Sequence, residues 1–188
     1  MRALTDEETK ILFTKLASYC GSSLNSLIAP DPSNPSAPQY TFRLHNSRVY
    51  YGPTALFNLS ISIPRSSLLS VGTCLGRFTK SLKFRLHITA LSVIAPHARY
   101  RIHVKPNGEM PFLYGGHVLK AHIGRWSEDI GEHQGVVVFS MEGERPVGFG
   151  ITSRGTAEAR KLEGTAVVVF RQGDVGEYLR DEDTLFTA

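Results

Sequence analysis

The chain has 188 residues, 41% hydrophobic and 20% charged, with a formal net charge of +4; this supports a folded core and excludes wholesale disorder. No apolar run approaches the ~20 residues of a membrane span, and the opening MRALTDEETK lacks the character of a signal peptide, so a cytosolic or nuclear protein is expected. The charge is unevenly laid out: the 77 positions from Pro32 to Gly108 carry ten Lys or Arg and no Asp or Glu, which points to a polyanionic partner.

In chain order, Thr5 followed by Glu8 is a capping box, and Asp6, Glu7 and Glu8 suit the positive end of a helix dipole. Leu4, Ile11, Leu12, Leu16 and Tyr19 keep a helical period up to Gly21, which predicts a helix from about residue 5 to 20. Residues 29–38 contain four prolines and are expected to form a surface loop. Tyr40–His45 and Arg48–Tyr51 read as strands joined at Asn46-Ser47 by a tight turn. Pro53 opens a short helix, Thr54–Ser60. Leu68–Leu75 and Phe84–Val93 read as further strands flanking a basic loop, Arg77–Lys83.

A boundary is expected near Ala95-Pro96-His97, dividing the chain into 1–95 and 96–188. Beyond it, Arg99–Lys105 alternates as a half-buried strand, and Phe112–Ile123 is expected to hold one short helix after Gly115-Gly116. Gly135–Met141, Pro146–Thr152 and Thr165–Arg171 are β runs separated by glycine-containing turns, and the acidic tail Asp174–Asp183 suits a last helical turn. The fold class expected is α+β: an N-terminal antiparallel sheet with helices, then a small β-barrel with one or two short helices.

Catalytic and metal constellations are not evident. His117 and His122 are five apart, not the four that sets two ligands on one helix face, and no Cys or carboxylate completes a zinc set. Gly148-Phe149-Gly150 lacks the third glycine and following helix of a dinucleotide loop; close backbone approach in a barrel is the competing explanation. Cys20 and Cys74 sit among apolar residues and read as reduced core thiols, although a nucleophilic role for Cys74 in RNA methylation can be framed. General acid–base work needs a placed carboxylate, and the first half offers only Asp6, Glu7, Glu8 and Asp31. No catalytic residue, metal or cofactor is expected.

Basic clusters are evident. Arg77, Lys80, Lys83 and Arg85 fall within eleven residues alongside Phe78 and Phe84; cations neutralise phosphates, and Phe78 is a candidate for stacking unpaired bases while Phe84 reads as core. A solvated loop is the alternative. Ser153, Arg154, Arg160 and Lys161 form a second group suited to phosphate and sugar contacts, against an ordinary polar loop neutralised by Glu158 and Glu163. Lys120 and Arg125 are candidates for lining the same groove.

The stretch from Arg99 to Ala121 resembles the opening of a PUA domain, a small RNA-binding barrel with a helix packed at a groove. Phe112-Leu-Tyr114, His117-Val-Leu-Lys120, Gly148-Phe-Gly150 and Asp174-Val-Gly-Glu-Tyr178 resemble the Nip-seven family. So do the earlier segments Leu4–Thr9, Arg48-Val-Tyr-Tyr51, Leu75–Lys80 and Lys83–Thr89. The Pro/Ser stretch 31–38 and the Glu142-Gly-Glu-Arg145 turn are longer than the family pattern. The resemblance implies a non-catalytic RNA-binding factor for large (60S) ribosomal subunit assembly and pre-rRNA processing. It would act in the nucleus and nucleolus with pre-60S particles and other assembly factors, with no membrane or DNA partner. In that family RNA contact is associated with basic residues after the glycine-bearing strand, here Arg154, Arg160 and Lys161. An RNA-modifying enzyme carrying a PUA domain, and a protein-interaction adaptor, are the competing functions.

Overall fold

The computed structural model describes residues 1–29, 38–64 and 66–186, so most of the proline-rich stretch expected as a loop lies outside the described residues. Helix α1 spans Asp6–Cys20, and its capping box forms as expected: Thr5 Oγ1 accepts from the Glu8 amide at 3.3 Å, and the Glu8 carboxylate accepts from the Thr5 amide at 2.9 Å. At the other end Gly21 adopts φ +57°, where a side chain would be strained, and the Arg99 side chain packs where its Cβ would stand.

Strands β1 (Tyr40–His45), β2 (Arg48–Pro53), β3 (Thr73–Phe78) and β4 (Phe84–Leu86) form an antiparallel sheet in that order, with helix α2 (Thr54–Ser60) after β2. The β1–β2 turn holds Asn46 and Ser47 at positive φ, which matches the right-handed twist of a two-residue hairpin. Two expected strands are shorter or displaced. The strand expected over Leu68–Leu75 begins only at Thr73; Leu68 instead folds down over the sheet, where its carbonyl meets His45 Nε2 at 3.1 Å. The strand expected over Phe84–Val93 ends at Leu86 and gives way to a 3-10 turn, Ile88–Ala90, and helix α3, Leu91–Ile94. Ile88, Leu91 and Ile94 recur every three residues and are all buried, so the packing face selects a helical rather than a two-residue period.

The second sheet has six strands in the order β6-β10-β9-β8-β5-β7: β5 Arg101–Val104, β6 Val118–Leu119, β7 Ile123–Trp126, β8 Gly135–Ser140, β9 Pro146–Thr152 and β10 Val167–Asp174. It curls into a nearly closed, barrel-like form with one parallel pair, β5–β8. The helix expected after Gly115-Gly116 lies before it: α4 spans Pro106–Leu113, starting on a proline and stopping ahead of Gly115 at φ +92°. The glycine pair is a stop signal, and the residues after it give β6, a 3-10 turn (Lys120–His122) and β7. Short helices α5 (Thr156–Ala159), α6 (Glu177–Arg180) and α7 (Glu182–Phe186) complete the chain. Gly148 and Gly150 admit the β10 backbone: a Cβ at either would run into carbonyl oxygens of that strand, so the Gly-Phe-Gly segment serves close packing.

Strand β8 joins the two sheets. Its Val136 and Val138 point into the barrel with Ile102, Phe112 and Val168. Val137 and Phe139 point the other way, into a core shared with Leu12, Leu16 and Tyr19 of α1 and Leu75 of β3. Being covered on both faces is why this strand is a continuous apolar run.

Candidate nucleic-acid interface

The β9–β10 loop that carries α5 is braced from below. Ser153 Oγ donates to the Val167 carbonyl at 2.7 Å, and the Thr156 amide donates to the Ile130 carbonyl at 2.9 Å. Thr152 Oγ1 donates to the Gly131 carbonyl at 2.8 Å, and Ala159 is buried. These contacts turn the charged residues of the loop outward: Arg154, Arg160 and Lys161 are all exposed. Arg154 meets Glu158 at 3.5 Å, an exposed pair worth little in water. The Arg160 guanidinium lies over the Trp126 ring at 6.0 Å. Neither Arg160 nor Lys161 has a carboxylate at ion-pair distance among the described residues.

The other sequence candidates have different duties. Lys120 comes to this loop but donates its ammonium to the carbonyls of Arg160, at 2.7 Å, and Leu162, so it anchors the loop. Ser153 is a brace as well. Arg125 is neutralised by Glu144 at 2.8 Å and donates to His103 Nε2 at 3.1 Å. The hydrogen bond from Arg125, and then its charge, hold the Glu144 carboxyl below its ordinary range, while burial and then Arg125 push the His103 imidazole down.

Lys120 also marks one end of a short edge. Just before β6, on the far side of that strand from Lys120, stands exposed His117, edge-on to Phe170 with ring centres 5.6 Å apart. Phe170 is 41% exposed and Tyr114, at the end of α4, 75%. The β6–β10 edge therefore carries free cations at one end and open aromatic rings at the other, the pairing that grips single-stranded nucleic acid. Residue-type clustering missed this group because Phe170 lies far in sequence from Tyr114 and His117; Phe112-Leu-Tyr114-Gly-Gly was the available signal.

On the first sheet Arg77 and Arg85 stand directly opposite each other across β3–β4, with Arg48 opposite Arg77 across β2–β3. Lys80 and Lys83 are exposed in the loop between β3 and β4. Phe78, expected to stack on bases, is instead buried against Phe84 with ring centres 5.1 Å apart; inward alternation along β3 places it in the core. Burial pushes the Cys74 thiol up and the Cys20 thiol up to about 11, so neither is an activated nucleophile.

A barrel-like sheet with a helix stopped at a Gly-Gly turn, set behind an antiparallel sheet with which it shares a core, is the architecture of a PUA-domain protein. A protein from Pyrococcus horikoshii matches with a TM-score of 0.59 over 98% of both chains at 15% identity. A PUA-domain structure from Aeropyrum pernix matches at 0.56 over 95% of this chain and 87% of that one, also at 15% identity. Residues 1–88 match the NIP7/UPF0113 pre-PUA domain and residues 100–183 the UPF0113 PUA domain. The 60S ribosome subunit biogenesis protein NIP7 of Saccharomyces cerevisiae is 56% identical over the whole of both chains. The Schizosaccharomyces pombe protein of that name is 57% identical over 99% of this chain and 100% of its own. The Xenopus tropicalis homolog is 52% identical over 98% and 99%. The chain belongs to the NIP7 family.

Proposed function

We propose that this chain is a non-catalytic RNA-binding assembly factor of the large ribosomal subunit. It acts on pre-rRNA within pre-60S particles, in the nucleolus and alongside other assembly factors. Full-length identity to relatives named as 60S biogenesis proteins supports the setting. The observation that carries the RNA contact is the β6–β10 edge, with Arg160 and Lys161 unneutralised at one end and Tyr114, His117 and Phe170 open at the other. In this reading residues 1–95 and 96–188 are two domains, and the Arg77, Lys80, Lys83 and Arg85 surface of the first meets rRNA inside the particle. The barrel makes the contacts detectable with isolated RNA. Crosslinking the protein to RNA in cells and sequencing what is attached tests the proposal: recovery of pre-rRNA supports it, and recovery of protein adducts alone overturns it in favour of an adaptor.

A further inference from the structure

Helix α2 and the chain that follows it turn aliphatic side chains to the outside. Leu59 is 73% exposed, Ile61 81% and Leu69 82%, and Leu56 and Ile63 are exposed as well. Leu56 and Leu59 stand three apart on α2 and share its outer face, while Phe57 is buried. A cavity of about 380 Å³ opens beside the end of this helix, lined by Phe57, Ile61, Ile63 and Leu68 together with Ala3 and Arg43. Single exposed aliphatics are ordinary on a protein surface. Five within the fourteen residues from Leu56 to Leu69, two of them lining one cavity, mark a face that another molecule covers.

The backbone and the charge of this face select the occupant. The Ile61 amide donates to the Asn58 carbonyl at 3.2 Å, Ile63 to Ser60 at 3.2 Å and Leu68 to Pro64 at 3.1 Å. These turns are closed on themselves and present no open strand edge, so a docking segment must pair its own backbone, as a helix does. No carboxylate lines the cavity, and the sequence has none from Pro32 to Gly108. Arg43, which does line it, has no carboxylate at ion-pair distance among the described residues. The one charge in the sequence between Thr54 and Gly76 is also a cation, Arg65, which lies outside the described residues.

We infer that this face binds an acidic amphipathic helix of a partner protein. Its aliphatic side chains, three and four residues apart, enter the cavity and cover Leu59 and Ile61, and an Asp or Glu at its margin meets Arg43. A second copy docking through the same face would set Arg43 near its own equivalent with no acid to separate them. An RNA backbone gains nothing from an aliphatic surface. An acidic helix gains both from the apolar burial and from the guanidinium. The inference is independent of the RNA reading, since none of these residues belongs to the β6–β10 edge or to the Arg77 surface.

The test uses the intact chain and two fluorescent amphipathic peptides of about four helical turns. They share one leucine face and differ in carrying Glu or Lys beside it. In anisotropy titrations the Glu peptide binds at least about tenfold more tightly than the Lys peptide. Leu59→Ser combined with Ile61→Ser weakens it about tenfold or more, and Arg43→Gln about threefold. Leu179→Ser, which removes a comparably exposed side chain from α6, leaves it unchanged. The Leu59→Ser, Ile61→Ser chain melts with the parent and keeps its RNA affinity. In cells, a benzophenone side chain placed at Ile61 attaches to acidic, leucine-rich segments of other proteins. Equal binding of the two peptides, or Glu-peptide binding that ignores Leu59→Ser and Ile61→Ser, overturns the inference. So does an adduct with a second copy of this chain, which makes the face a self-interface. RNA affinity that falls with the same two substitutions overturns it too, by making the face part of the RNA surface. If no form of the chain binds RNA, the RNA reading fails alone, and the peptide titrations still decide this face.

Discussion

Arg180 donates from Nη2 to both carboxylate oxygens of Asp174, at 3.0 and 2.8 Å, and Asp174 is fully buried. Arg171 reaches the same carboxylate at 2.6 Å, and the Gly176 amide adds a bond at 2.9 Å. Arg180 also donates to the Leu113 carbonyl, which locks α6 to the end of α4. Replacing Asp174 with Ala strips Arg180 of its carboxylate and the Gly176 amide of its acceptor, while Arg171 keeps Glu177 at 2.7 Å. The expected loss is about 2–4 kcal/mol of unfolding free energy in urea. A loss below about 1 kcal/mol would mean that the pair is not a structural clasp.

Changing Arg154, Arg160 and Lys161 together to Ala removes exposed charge without touching the braces beneath. RNA affinity is expected to fall at least about tenfold, with a log–log salt slope shallower by roughly 0.7 for each phosphate no longer neutralised. The melting temperature should stay within a degree or two of the parent, since surface changes of this kind usually cost less than about 0.5 kcal/mol each. Unaltered affinity would move the RNA face elsewhere.

How much of this was legible in sequence differs element by element. The start and stop of α1 were readable because Thr5, Glu8 and Gly21 act through local hydrogen bonds and local backbone geometry. The fate of Ile88–Ile94 was not, because an apolar run this short has no period of its own until a packing surface chooses one. Lys120 and Arg125 show the same limit at the site. As residue types they match Arg160 and Lys161; only the fold shows that one binds carbonyls and the other binds Glu144. The cations were visible as charge, whereas the aromatic edge required the β6–β10 pairing that brings His117 to Phe170.

Tyr114→Ala and Phe170→Ala probe that edge. Both rings are exposed, so stability should barely move, while each base unstacked costs about 1–3 kcal/mol of RNA binding. The salt slope stays unchanged, because every phosphate keeps its cation. A changed slope with unchanged affinity at low salt would contradict stacking as their role.

Neutralising Arg77, Lys80 and Lys83 together separates the two proposed surfaces. Arg77 already faces Arg85 across the strand pair, and like charges directly opposite are unfavourable, so losing Arg77 should if anything stabilise the sheet. Sedimentation with pre-60S particles should decline more than affinity for a short free RNA. Equal retention in particle fractions would remove this face from the interface.

His87 reports on the same face through its protonation. Burial first, then the charges of Arg48 and Arg77, lower its pKa to about 4. The unfolded chain protonates this imidazole below about 6.5, whereas the folded chain stays neutral until about pH 4. Between those values the unfolded state holds more protons, so the contribution is fully present above about pH 6.5 and is lost as pH falls towards 4. His87→Gln should flatten this limb of the stability profile measured in urea at successive pH values. In the parent chain the His87 ring resonances should titrate near pH 4, and a midpoint above 6 would contradict the burial argument. Phosphates settling on Arg77 would cancel part of the positive field and raise that midpoint. An identical titration with and without saturating RNA would show that the strand keeps away from the arginine row.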